Sequence, residues 1–422
     1  MRRLLIVTFD LVRNNEPETS LAAGYLISYL KAQKEYGHSF LVEHLLFNLL
    51  KQPDLAPAHI LKTMSQKHKL MDIDAIAIGC YIWSDHLTRP VIKGLRKLDF
   101  NGRIILGGYQ ISCTNIAASG EYPEADVFIP GYGEAALTES FLTDNLPRPS
   151  IVSAELDLTK TPSPYLTNEI KVRDYQKRIR METKRGCPNN CSFCGHQDLY
   201  QHRLYVHPIE TVLNEFSYMK TKMVRKINVV DPFFNCGKDY IEILDYCYRI
   251  GVTSRITLQT RFDPIRDEVG ARFIDRCASL NVSLEFGLQS ILSEELAALN
   301  RTEDIDHAKK VMTILKAASI PYSVSLMYGI PNQTVDSLRR SVTYLLANGC
   351  QNVNVFPLLL LPGTVLWSTK DQWQLKEEPL GRLGMPLVVS GDSFDKVDWQ
   401  AMKGIAGSLR RKYRSHSPGR VL

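Results

Sequence analysis

This chain has no run of about 20 apolar residues, the length that a membrane-spanning helix requires. A secretory leader is not evident either. Met1-Arg2-Arg3 precedes only the short apolar run Leu4-Leu5-Ile6-Val7, and no small-residue cleavage site follows it. Charge of one sign is not in large excess: a net +6 over 422 residues is mild and does not by itself argue for a nucleic-acid partner. The nine cysteines lack a pairing rhythm, because Cys80, Cys113, Cys236, Cys247, Cys277 and Cys350 are scattered singly. A disulfide framework is therefore not expected, and a reducing cytoplasm is the expected compartment. No cysteine follows Trp367, so residues 368–422 offer no thiolate to a metal or cluster.

The other three cysteines stand together in Arg185-Gly186-Cys187-Pro188-Asn189-Asn190-Cys191-Ser192-Phe193-Cys194. The spacing is C-x3-C-x2-C. Three thiolates on one loop can hold three irons of a [4Fe–4S] cube, leaving the fourth iron open to a small chelating molecule. A structural zinc site wants four ligands. No second cysteine or histidine pair lies downstream to supply them, and His196 would make a Cys3His site the alternative.

Around this loop the chain reads as α/β throughout. Strands are expected at Leu4–Phe9, Phe40–Leu46, Ala75–Trp83, Arg103–Gly108 and Asp126–Gly131, with Thr19-Ser20 and Ser84 as helix caps between them. Continuous apolar strands separated by helices imply a parallel sheet covered on both faces, a Rossmann-like doubly wound domain over residues 1–143. Ligands of such domains bind at the carboxyl ends of the strands. Residues 144–180, rich in proline, read as a linker. Strand–helix alternation resumes over 181–367, with strands at 227–231, 255–260, 282–290, 322–328 and 352–361. Together with the strand that leads into the cysteine loop they predict a partial (β/α)6 barrel of TIM type, its chemistry again at the strand ends. Residues 368–422 form a short C-terminal extension whose basic run Arg410-Arg411-Lys412-Tyr413-Arg414 reads as a solvated helix face or tail.

Cys187, Cys191, Phe193 and Cys194 match, position by position, the C-x3-C-x-aromatic-C motif, and the chain resembles the radical S-adenosylmethionine enzymes. The resemblance implies that S-adenosylmethionine chelates the open iron, and that one electron from the cluster cleaves it to methionine and a 5′-deoxyadenosyl radical. It further implies S-adenosylmethionine contacts from Phe193 near the adenine, Asp231 at the methionine amine, Glu285 and Gln289 on the fourth barrel strand, and Gly329 and Ile330 along the adenine. Asp231 is equally readable as a turn residue before Pro232. Asn300-Arg301 resembles a further family element, and otherwise reads as a cap or an ion pair.

The N-terminal strand ends, Cys80-Tyr81-Ile82-Trp83-Ser84, Leu106-Gly107-Gly108-Tyr109-Gln110 and Gly131-Tyr132-Gly133-Glu134, are similar to the cobalamin-binding domain of the cobalamin-dependent, class B branch. Tyr81, Trp83, Ser84, Gly107, Gly108, Gln110, Gly131 and Glu134 are the implied cobalamin contacts. Glycine lets backbone approach a flat corrin closely, and Trp83 is either corrin-facing or a core tryptophan. The loop Asp10–Glu18 has no histidine, so the D-x-H-x-x-G element that supplies a lower ligand to cobalt is missing. The resemblance implies a radical C-methyltransferase that uses a [4Fe–4S] cluster, S-adenosylmethionine and cobalamin, in the methylcobalamin form, on a peptide or natural-product carbon. An external electron donor such as flavodoxin or ferredoxin would serve it. The alternatives are a non-methylating oxidoreductase, cyclase or ring-rearranging enzyme, a methylthiotransferase, and a cobalamin or redox sensor. A methylthiotransferase needs a further cysteine triad in the N-terminal domain, which has only Cys80 and Cys113. An intact three-cysteine loop argues against a sensor of cobalamin alone. The identity of the substrate is not readable.

Overall fold

The computed structural model describes residues 1–113, 120–196, 203–381 and 383–414. The chain divides into two compact units, the first built mainly from Met1–Ile179 and the second from residues 180–196 and 219–414.

The first unit is a six-stranded sheet of β1 (Arg2–Asp10), β2 (Phe40–Asn48), β3 (Ala75–Gly79), β4 (Arg103–Gly107), β5 (Val127–Ile129) and β6 (Ser150–Ile151). The spatial order is β2-β1-β3-β4-β5-β6, all parallel. The chain starts at β1, steps to β2 on one side, then returns to β3 on the other. Because parallel crossovers are right-handed, that reversal sends helices to opposite faces of the sheet and opens a crevice beyond the ends of β1 and β3. Leu4, Leu5, Ile6 and Val7 of β1 are at most 2% exposed, as a strand covered on both faces requires. Ser20 caps the helix Leu21–Lys31 by accepting the Ala23 N–H at 3.3 Å.

Two boundaries differ from expectation. β3 stops at Gly79 rather than running to Trp83, because Tyr81–Ser84 closes as a turn. The Ser84 hydroxyl accepts the Tyr81 N–H at 3.1 Å, so it holds the turn and makes no cap bond to the helix Asp85–Lys97. Residues 150–151 add an edge strand, and the chain as far as Ile179 groups with this unit. Ile170 packs so closely on Gly24 that a Cβ there would lie 2.7 Å from its side chain.

The second unit carries β7 (Ile179–Met181), β8 (Lys226–Val229), β9 (Arg255–Thr260), β10 (Val282–Gln289), β11 (Tyr322–Tyr328) and β12 (Val353–Pro357). Spatial order follows chain order from β7 to β12, with no pairing of first to last among the described residues, which is a partial (β/α)6 barrel. Beyond it, β13 (Lys376–Leu380) and β14 (Met385–Ser390) form an antiparallel hairpin, and the helix Lys396–Arg414 buries Trp399, Met402, Ala406 and Leu409 at helical spacing. Arg410, Arg411 and Lys412 stand on its solvated side. Among the described residues no helix is long and apolar enough to cross a membrane.

Candidate functional site

β7 delivers the chain into the cysteine loop, and a buried clasp fixes the departure. Asp231, directly beyond β8, is wholly buried. It accepts the Thr183 N–H at 2.7 Å, the Thr183 hydroxyl at 2.5 Å and the Lys184 N–H at 3.3 Å. Burial pushes its carboxyl up to about 6, against the pull of the Thr183 bonds. Lys184 is also buried, and its ammonium donates to the carbonyls of Phe234 at 2.8 Å and Cys236 at 2.6 Å. Desolvation lowers its pKa. Gly186 then turns the chain with φ +86°, and a Cβ there would meet the Arg203 carbonyl oxygen at 2.1 Å. Only glycine fits both the angle and the space.

The loop itself is pinned on several sides. The Ser192 N–H donates to the Leu299 carbonyl at 2.9 Å, its hydroxyl to Ala298 at 3.1 Å, and its carbonyl accepts the Leu366 N–H at 2.8 Å. Asn300 reaches the Asn190 carbonyl at 2.7 Å. Asn189 contacts the Cys187 sulfur at 3.3 Å, and Arg301 Nη1 donates to the Cys191 sulfur at 3.1 Å. Burial pushes the Cys194 thiol up to about 11, and the nearby Cys191 and Cys187 push the same way. Among the described residues no three His, Cys, Asp or Glu side chains converge on one point, which a single metal ion would require. His196, two residues beyond Cys194, is exposed.

Facing inward, the sheet is polar on one side. Asn228 pairs with Thr257 and Thr257 with Ser283; Gln259 pairs with Glu285 and Glu285 with Ser323; Ser325 pairs with Asn354. In-register partners share a face, and residues two apart on a strand share it too. The opposite face carries Ile227, Ile256, Leu258, Leu284, Phe286, Val324 and Val355, all buried. A parallel sheet packed on both sides is apolar on both. A polar inner face marks a lining that contacts something other than core. The hydroxyls of Thr257 and Ser323 are buried with no hydrogen-bond partner among the described residues, a cost that a bound polar group or water would relieve.

Of the residues expected to meet S-adenosylmethionine, Phe193, Glu285 and Gln289 are half-buried. Gln289 ends β10 at φ +73° beside a register shift. Gly329 adopts φ +81° and donates its N–H to Gln333 Oε1 at 2.8 Å. Ile330 is wholly buried. A Cβ on Gly329 would lie 3.2 Å from the Val388 carbonyl and 3.4 Å from Trp399, so the C-terminal hairpin and helix back this loop. Sequence reasoning missed that backing, as well as the Thr183–Asp231 clasp. The polar alternation in Val-Ser-Leu-Glu-Phe-Gly-Leu-Gln was there to be read.

In the first unit, the ends of β3, β4 and β5 are knitted together. The Cys80 N–H donates to Gly107 at 2.7 Å and the Gln110 N–H to Cys80 at 3.2 Å, while the Gly131 N–H reaches the Ser112 hydroxyl at 2.9 Å. Gly108 has φ +99°, and a Cβ there would stand 2.6 Å from the Cys80 carbonyl. Trp83 is not a core tryptophan. It is half-exposed, stacks on Tyr81 at 4.7 Å and 3°, and donates its indole N–H to the Phe9 carbonyl at 2.9 Å. The pair therefore sits where β1 and β3 diverge, at the topological switch point. Ser84 and Glu134 are buried, whereas Gly107 and Gln110 remain partly exposed.

Residues 181–345 match the model of the radical SAM superfamily. The cobalamin-dependent radical SAM methyltransferase TokK of Streptomyces tokunonensis is 22% identical over 402 residues, covering 87% of this chain and 57% of TokK. The chain spans about half the length of the curated relatives it matches first. The radical S-adenosylmethionine methyltransferase TsrM of Kitasatospora setae, solved with tryptophan substrate and a SAM analogue, superposes with a TM-score of 0.70 at 14% identity over 97% of this chain and 89% of that one. OxsB, a cobalamin-dependent S-adenosylmethionine radical enzyme solved with aqua-cobalamin and S-adenosylmethionine, gives 0.69 at 14% identity, over 98% and 67%. Residues 181–345 of this chain are thus a radical SAM domain by similarity, and the chain as a whole has the fold of TsrM and OxsB.

Proposed function

We propose that this protein is a cobalamin-dependent radical S-adenosylmethionine methyltransferase acting on an unactivated carbon of a peptide or small molecule in the cytoplasm, supplied with electrons by a flavodoxin- or ferredoxin-like donor. The observation that carries the reading is the polar inner face of a parallel barrel sheet in the same unit as the three-cysteine loop. When bound, the cluster, S-adenosylmethionine and cobalamin supply one-electron cleavage and the methyl group. The chain supplies position. Cys187, Cys191 and Cys194 hold three irons, with Gly186 and the Asp231 clasp fixing where the loop leaves β7. Phe193, Glu285, Gln289 and the Gly329–Ile330 turn line the S-adenosylmethionine site. Asp231 serves that site through Thr183 and Lys184. Tyr81, Trp83, Gly107, Gly108, Gln110 and Gly131 form the corrin seat in the first unit, which residues 144–179 complete, with Ser84 and Glu134 bracing it from beneath.

The test is product stoichiometry in anaerobically reconstituted protein. With reductant, cobalamin, S-adenosylmethionine and a candidate substrate, S-adenosylhomocysteine and 5′-deoxyadenosine should rise together with methylated product. Turnover that yields 5′-deoxyadenosine without S-adenosylhomocysteine would replace methyl transfer with a rearranging or cyclising reaction. Tightly bound zinc in place of iron would remove the reading altogether.

A further inference from the structure

Arg301 is a buried cation with unfinished business at the cysteine loop. Its side chain is 7% exposed. Nη1 donates to the Cys191 sulfur at 3.1 Å and Nη2 to the Gly287 carbonyl at 2.7 Å. Nη2 also meets the Glu303 carboxylate. The remaining donor, Nε–H, is buried and has no partner among the described residues. A guanidinium is always charged and offers only donors, so a buried orphan N–H on it is costly. A neutral thiol is also a poor reason to bury an arginine. Both facts make sense if the acceptor is an anionic, sulfur-rich group held by Cys191.

Glu303 sets the strength of this cation. Its side chain is 2% exposed and it takes a second arginine, Arg261, at 3.0 Å. Arg261 is in turn tied to Asp263 at 2.8 Å and to the Asn235 side chain at 3.0 Å through its own N–H. The carboxylate is thus held in place from two sides, next to the guanidinium but one residue removed from the sulfur.

We infer that Arg301 tunes the electron affinity of the cluster, donating through Nη1 to the Cys191 thiolate and through Nε to a cluster sulfide, and that Glu303 moderates it. This rests on the proposed function, because it needs the cluster on Cys191. The step concerned is a one-electron reduction of the cluster from its 2+ to its 1+ state by a low-potential flavin or iron–sulfur protein. The added electron resides on the iron–sulfur core, and no bond forms or breaks. A hydrogen bond and a positive charge at a cluster sulfur favour the reduced, more negative core, and so raise its potential. Glu303 works in the opposite direction.

The two residues therefore predict shifts of opposite sign, which damage to packing would not give. Wild type, R301Q, R301K and E303Q, reconstituted with iron and sulfide, are titrated with dithionite without S-adenosylmethionine or substrate, and the reduced cluster is followed by electron paramagnetic resonance. At the wild-type midpoint, R301Q should lower the reduced-to-oxidised ratio about tenfold, the scale of one charge-assisted hydrogen bond. R301K should fall between, and E303Q should raise the ratio. If R301Q fails to retain a cluster, R301K and E303Q still decide the sign. Unchanged midpoints would overturn the inference, as would shifts in one direction for all variants. Weakened S-adenosylmethionine binding at an unchanged midpoint would also overturn it, placing Arg301 on the S-adenosylmethionine carboxylate instead. A wild-type protein that takes up no cluster would instead defeat the underlying functional reading.

Discussion

Asp231 and Thr183 form a buried two-point clasp, with one carboxylate oxygen on the Thr183 N–H at 2.7 Å and the other on its hydroxyl at 2.5 Å. The clasp joins the end of β8 to the residue that opens the cysteine loop. D231A leaves both donors buried without acceptors, at about 2–4 kcal/mol, and should lower the urea midpoint of the second unit and its iron content together. The pH dependence has a definite sign. Folded Asp231 keeps its proton up to about pH 6, whereas an unfolded aspartate releases it near about pH 4. Between those values the folded chain binds more protons, so this group's contribution to stability falls as pH rises. D231N should flatten that part of the profile. A D231N protein with the wild-type slope across this window would contradict the assignment.

Gly186 stands at φ +86° with the Arg203 carbonyl filling the space of a side chain. G186A must move backbone at the first cysteine. It should cost about 2–3 kcal/mol and deplete reconstituted iron, while G251A, a helix-end glycine with open space around it, should lose only about 1 kcal/mol and keep its iron. Equal iron content in the two variants would show that the turn does not position the thiols.

Much of this was legible in the chain itself. Apolar β1 and its neighbours announced a covered parallel sheet, and the spacing of Cys187, Cys191 and Cys194 pointed to a cluster or a Cys3His zinc site, between which the resemblance to radical S-adenosylmethionine enzymes chose. β3 was overdrawn because Tyr81-Ile82-Trp83 has strand-like composition, whereas the Ser84 hydroxyl closes it into a turn. Residues 150–151 hid inside a proline-rich stretch, since a two-residue edge strand has no period to detect. Arg301 carried no signal that separated a surface ion pair from a buried donor to Cys191, because that contact joins residues 110 positions apart. The C-terminal hairpin places Pro379 opposite Pro386, which demotes both strands in any reading by propensity.

Trp83 makes two separable contacts, a face-to-face stack on Tyr81 and an indole bond to the Phe9 carbonyl. W83F keeps the stack and loses the bond, for about 1 kcal/mol. W83A loses both, adding about 0.5–1.5 kcal/mol for the aromatic pair. Cobalamin titrations followed by absorbance should show a several-fold weaker Kd for W83F and a larger loss for W83A. An unchanged Kd in W83A would place the corrin away from the switch point and leave the stack as surface packing.

Trp399 is 1% exposed and lies against Tyr328, at 5.7 Å between rings, and against the Gly329 turn. It is the point at which the helix Lys396–Arg414 touches the barrel's expected adenine-lining segment. W399A opens a cavity of indole size, at about 3–5 kcal/mol, and should release the C-terminal helix first, seen as faster amide exchange in 396–414. If the helix serves only to cover the barrel, S-adenosylmethionine affinity measured on still-folded protein will be unaffected. The contact with Gly329, whose N–H is already committed to Gln333, argues for the other outcome. Loosening Trp399 lets the turn shift, and S-adenosylmethionine should bind at least several-fold more weakly in W399A while W399F, which refills most of the cavity, stays near wild type.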